Sequence, residues 1–90
     1  MHKYIIKRRG HLEKFDERKV YASCYAACLN TSLTKYEAEN IAEKATKKIK
    51  TWIKNKKQVT SDDIFKEVIK IMNKLDKDSA FMYETHRDVN

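Results

Sequence analysis

The sequence predicts an α+β fold: a four-helix bundle capped by a small two- to three-stranded β-sheet that opens with an N-terminal hairpin. Three observations predict it. The 90 residues include no Pro and a single Gly, so tight turns are scarce and regular elements long. Apolar residues recur at helical spacing from Val20 onward. The residues before Asp16 instead hold two short β-prone runs around the one Gly. At this length one domain, 1–90, with one core and one site is expected.

Tyr4-Ile5-Ile6-Lys7 is β-branched and aromatic, which favours a strand. Arg8-Arg9-Gly10-His11 follows as a turn, with Gly10 suited to positive φ. Leu12–Phe15 then pairs back on the first strand. Asp16 caps a helix over about 17–30, with Glu17 in its first turn and Val20, Cys24, Ala27 and Cys28 on one face. Asn30-Thr31-Ser32 is a break. Thr34-x-x-Glu37 is a capping box that opens a long helix ending near Asn55. Its buried stripe is Ala38, Ile41, Ala42, Ala45, Ile49, Trp52 and Ile53. Lys57–Val59 is read as a very short third strand. Thr60 or Ser61 caps the next helix, with Ile64, Val68, Ile71, Met72 and Leu75 inward. Asp76-Lys77-Asp78 is read as the break before a last helix over about 79–88, with Ala80, Tyr83 and Arg87 on one side. Phe81 and Met82 flank that side, either completing the core or offering a contact surface.

Charge is uneven along the chain. Net charge is +7, yet the segment 44–57 holds seven Lys and no acid. Three of the four Arg, namely Arg8, Arg9 and Arg18, lie near the N-terminus, and Arg is the better planar partner for phosphate. No run approaches the ~18 consecutive apolar residues of a spanning helix, and Met1–Arg9 shows no secretory-signal pattern. A reduced, cytoplasmic protein with no membrane role is expected. Cys24 and Cys28 stand one helical turn apart on an apolar face, which fits small buried core residues. His2, His11 and His86 are too scattered to complete a metal site with them. No nucleophile elbow, Walker A loop or dinucleotide fingerprint is present, so no catalytic residue is assigned and no enzyme is expected. Arg18 and Lys19 lie in a first helical turn, where cations oppose the helix dipole. Either an anion between the strand end and the helix start reverses that penalty, or Glu13, Asp16 and Glu17 balance the cations locally.

The stretch Ile5-Ile6-Lys7-Arg8-Arg9-Gly10, followed by Phe15-Asp16-x-x-Lys19-Val20, resembles the opening of the ATP-cone family. Val59-Thr60-Ser61-Asp62-Asp63-Ile64 with Val68, and Ala80-x-x-Tyr83-x-x-His86-Arg87-Asp88, also match, so the resemblance covers Tyr4–Asp88. Such domains are regulatory modules of ribonucleotide reductase large subunits and form the body of the bacterial ribonucleotide reductase repressor. The resemblance implies a helical bundle capped by a three-stranded sheet, and ATP or dATP as ligand, with or without Mg²⁺. It gives Lys7, Arg8 and Lys19 to the phosphates, with Ser61 on the phosphate side. Ile5 and Val20 fall to the apolar wall, and Glu13 and Asp16 to the adenine. Two positions depart from the family pattern. Arg9 replaces an Asp, and Phe65 stands where some reductases carry a His, which leaves ATP and dATP as alternatives. The repressor's zinc ribbon has no counterpart, so its zinc-dependent DNA binding is not implied, and the chain is read as a free-standing cone.

The expected function is therefore that of an adenine-nucleotide sensor acting through self-association or docking on a partner protein. Two alternatives stand beside it. One is a small basic helical protein associated with DNA or RNA. The other is a detached regulatory subunit of a larger reductase or kinase.

Overall fold

Seven elements follow one another in the computed structural model, which describes residues 4–7 and 10–89, with side chains through 86. They are β1 (Tyr4–Ile6), β2 (Leu12–Lys14), α1 (Glu17–Leu29), α2 (Lys35–Lys54), β3 (Val59–Thr60), α3 (Ser61–Leu75) and α4 (Lys77–Val89). Arg8, Arg9 and the Arg87 side chain lie outside the described residues.

The β1–β2 hairpin closes as its one glycine requires. Gly10 N–H donates to the Lys7 carbonyl at 2.9 Å, Lys7 N–H donates to the His11 carbonyl at 2.8 Å, and Gly10 has φ +78°. That left-handed conformation carries no Cβ penalty in Gly. The sheet order is β2-β1-β3. β1 is antiparallel to β2, with Ile5 opposite Glu13, and parallel to β3, with Ile5 opposite Val59. The sheet is therefore mixed.

β3 sits one to two residues later than the expected Lys57–Val59. The end of α2 accounts for the shift, because Asn55 and Lys56 N–H groups return to the Trp52 and Ile53 carbonyls and hold the chain near the helix. Thr60 consequently does two things: it ends the strand and caps α3. Its hydroxyl accepts from Asp63 N–H while the Asp63 carboxylate accepts from Thr60 N–H, both at 3.0 Å. The Thr34–Glu37 capping box of α2 is reciprocal in the same way. α4 starts at Lys77, earlier than expected, because one extended residue suffices for the break. Asp76 N–H closes α3 on the Met72 carbonyl, and the Asp76 carboxylate accepts from Ser79 N–H at 2.9 Å and Ser79 Oγ at 2.6 Å.

The core joins α1, α2, α3 and α4 through small side chains. Cys24, Ala27 and Cys28 of α1 are fully buried, as are Ala38, Ala42, Ala45 and Ile49 of α2 and Val68 and Met72 of α3. Ile41, Trp52 and Leu75 pack on this core half-buried. Thr46 is also buried, outside the expected stripe, and its hydroxyl donates to the Ala42 carbonyl at 2.7 Å. Met82 packs on the core, whereas Phe81 is 65% exposed. Both cysteines are free thiols. Burial pushes Cys24 up to about 12, with the neighbouring Cys28 adding to it. Burial also raises Cys28, opposed by its contact with Ser79.

Two outcomes follow. A Cβ at Gly10 would meet nothing within 4 Å, so Gly10→Ala carries a purely conformational penalty of ~1–2 kcal/mol, read as a lower urea midpoint with unchanged slope. Neither cysteine should react with a thiol reagent at pH 8 in the native protein, and both should react in denaturant.

Candidate functional site

A cavity of about 820 Å³ opens between the sheet and the bundle. Side-chain periodicity explains its walls. Ile5 and Lys7, two apart along the β1 edge, point to one side of the sheet. Glu13, opposite Ile5 in the register, joins them from β2. Asp16, Lys19, Val20, Ser23 and Ala26 follow one another along one face of α1 and its cap. Ser61, Ile64 and Phe65 come from the first turns of α3, and Tyr83 and His86 from one face of α4. Helix α2 contributes none of the lining residues.

Ile5, Lys7, Glu13, Asp16, Lys19, Val20 and Ser61, all singled out in the sequence, thus line one cavity. Arg8 lies outside the described residues. The cavity also takes in His11, Lys14, Phe15, Ser23, Ala26, Ile64, Phe65, Tyr83 and His86. Ser23 and Ala26 were legible as the continuation of the Lys19 face. Ile64 is expected inward on α3 and Tyr83 on one side of the last helix, and both line the cavity as well. Phe65 and Tyr83 stack with centroids 5.5 Å apart and planes 25° apart, forming an aromatic wall across α3 and α4. The Asn30 side chain meets His86 Nε2 at 2.9 Å and ties the C-cap of α1 to α4.

Glu13 organises the charges. Its Oε2 lies 3.4 Å from Lys7 Nζ, and its Oε1 accepts from Lys19 Nζ at 2.5 Å. The Lys19 hydrogen bond chiefly, and Lys7 after it, hold the Glu13 carboxyl below the ordinary range. Glu13 in turn raises Lys19. Asp16 has a separate partner. It accepts from Arg18 N–H at 3.0 Å and from the Arg18 guanidinium at 3.2 Å, and these bonds lower its carboxyl. Local balance of the cations is therefore what the structure displays, with Glu13 serving two lysines and Asp16 serving Arg18.

Fold and cavity together define a small α+β domain in which a mixed sheet covers a helical bundle over a cationic pocket. Residues 3–85 match the family model of the ATP cone domain, and the chain belongs to that family, whose role is nucleotide binding and regulation. A search of the curated proteins gives no match. Among the described residues, no helix is long and apolar enough to cross a membrane.

The depressed carboxyls set an acid limb. Glu13, Asp16 and Asp63 all sit below their ordinary values of 4.5, 3.8 and 3.8. Below those values the unfolded chain takes up protons that the native state refuses. The stability they contribute is therefore complete above the ordinary values and is lost as pH falls through the lowered ones. Urea midpoints should be flat from pH 7 to about 5 and then fall. Glu13→Gln should make that fall shallower.

Proposed function

We propose that the cavity binds ATP or dATP reversibly, with or without Mg²⁺, and that occupancy alters self-association or docking on a partner protein. The observation that carries this reading is the convergence of Ile5, Lys7, Glu13, Asp16, Lys19, Val20 and Ser61 on one cavity in a chain of the ATP cone family. Lys7, Lys19 and Arg8 take the phosphates. Ser61 stands at the first position of α3, where the helix dipole favours an anion. Ile5 and Val20 pack on the apolar part of the nucleotide. A triphosphate replaces the Glu13 carboxylate as the partner of Lys7 and Lys19. Glu13, once released, is an acceptor for the exocyclic amine of adenine, which guanine lacks at that ring position. Asp16 supplies a second carboxylate beside it.

The chain acts as a sensor, not an enzyme. Hydrolysis needs a group that positions water at the γ-phosphate. Of the carboxylates in the cavity, Asp16 is held by a helix start and Arg18, and Glu13, once released by the triphosphate, is taken up by the adenine amine rather than by water at the γ-phosphate. A cytoplasmic role in the regulation of a ribonucleotide reductase-related enzyme fits this reading.

Calorimetric titration with ATP, dATP, ADP and GTP tests the site. ATP or dATP should bind more tightly than GTP. The Lys7→Ala/Lys19→Ala double variant should bind at least tenfold more weakly, because two charge-assisted contacts disappear and Glu13 is left facing phosphate. Glu13→Gln should narrow the gap between ATP and GTP. Unchanged affinity in the double variant overturns the assignment. Sedimentation velocity with and without saturating nucleotide reads the self-association arm, and phosphate release should stay at the buffer blank.

A further inference from the structure

Helix α2 carries a second cationic surface that the nucleotide cavity does not use. Lys44, Lys47, Lys48 and Lys54 are all exposed and share the side of the helix opposite the buried Ala42, Ala45, Ile49 and Ile53. At 1.5 Å per residue they span about 15 Å, and the exposed Lys56 and Lys57 prolong the row into the turn before β3. Glu43 and Glu17 answer Lys47 and Lys50, at 3.9 and 3.1 Å. Among the described residues, no carboxylate forms an ion pair with Lys44, Lys48, Lys54 or Lys57.

From this surface we infer that the outer face of α2 binds the phosphate backbone of nucleic acid, without reading its sequence. Three features favour nucleic acid over an acidic protein. A protein partner gains most of its affinity from apolar or aromatic anchors in pockets. Between Lys44 and Lys57 the one aromatic, Trp52, is half-buried, with Lys56 Nζ 5.2 Å from its ring centroid. Phosphate contacts, by contrast, need only cations, and duplex DNA offers one charge per ~1.7 Å of axis with counterions to release. The cations are all Lys, which bind phosphate as point charges and lack the planar fork that reads guanine. Phosphate contacts alone position a protein on a duplex without specifying a sequence.

Fluorescence anisotropy with a ~30-bp labelled duplex tests this, titrated between about 50 and 200 mM salt. The wild-type chain should bind at low salt, with log K falling against log salt at a slope of about −3 to −4. Lys44→Gln/Lys48→Gln/Lys54→Gln should weaken binding at least tenfold and lower the slope by about three, while its ATP affinity stays at the wild-type value. Lys7→Ala/Lys19→Ala should keep the duplex slope, which separates this face from the cavity. Poly-glutamate, with sparser charge, should bind at least tenfold more weakly than the duplex. The inference is overturned by absence of duplex binding at low salt or by an unchanged slope in the triple variant. Loss of duplex binding in the Lys7/Lys19 variant, or equal affinity for poly-glutamate, also overturns it.

Discussion

Strand β1 pairs with two strands at once, and the site depends on the second pairing. The β2 partner arrives through a turn closed by Gly10. The β3 partner, Val59–Thr60, arrives only after both long helices have been laid down. Closing that loop carries an entropy cost, and a strand of two residues has few bonds to set against it. The cost is met by the packing of α1 on α2 through Cys24, Ala27, Cys28, Ala38, Ala42 and Ala45, all fully buried. Ile5 opposite Val59 then fixes where α3 begins, because Thr60 is both strand end and cap. Ser61, Ile64 and Phe65 reach the cavity through that one junction. The site therefore exists only in the fully assembled chain, and a ligand that fills it stabilises the whole fold by mass action.

Glu13 gives the empty cavity its character. Two lysines facing each other without it would repel, and a monoanion entering the site would only exchange one carboxylate for another. A triphosphate brings several oxygens and more charge, so it can engage both lysines and leave Glu13 free for another partner. One short side chain on β2 thus sets a threshold that favours polyanionic ligands. Its position follows from register alone, since Glu13 stands opposite Ile5 and the cavity lies on that side.

Local chemistry made much of this legible. The Thr34–Glu37 box, the Asp16 cap, the glycine turn and the stripe from Ala38 to Ile53 are written in spacings of three and four residues. The convergence of Lys7, Lys19 and Ser61 needed the family resemblance, because the sheet that joins their elements is a long-range event. What escaped was decided by tertiary contact. Val59–Thr60 is too short to have a period, and its register is imposed by β1. Asp76 ends one helix and caps the next, so it looked like part of a longer break. Tyr83 has the pattern of a core residue, yet its stack with Phe65, which the resemblance already sets near the nucleotide, faces a cavity. Thr46 reads as polar and is buried, because its hydroxyl is satisfied within its own helix.

Lysine is put to two different uses on this scaffold, and the acids explain the division. In the cavity, Lys7 and Lys19 share one carboxylate and face the apolar and aromatic wall formed by Ile64, Phe65 and Tyr83. A small ligand there is surrounded on several sides and can be oriented. On α2, Lys44/Lys48 and Lys50/Lys54 are like charges one turn apart, each such pair costing a helix ~0.2–0.5 kcal/mol. The capping box and the Ala-rich buried stripe hold the helix against that repulsion. An open convex row has no wall to orient a small anion, and salt screens each lone charge within about 10 Å at 0.1 M. Only an extended polyanion can engage several of these lysines together and release the ions condensed on it. The pair at the mouth of a walled cavity thus suits a nucleotide, and the open row suits a polymer of them.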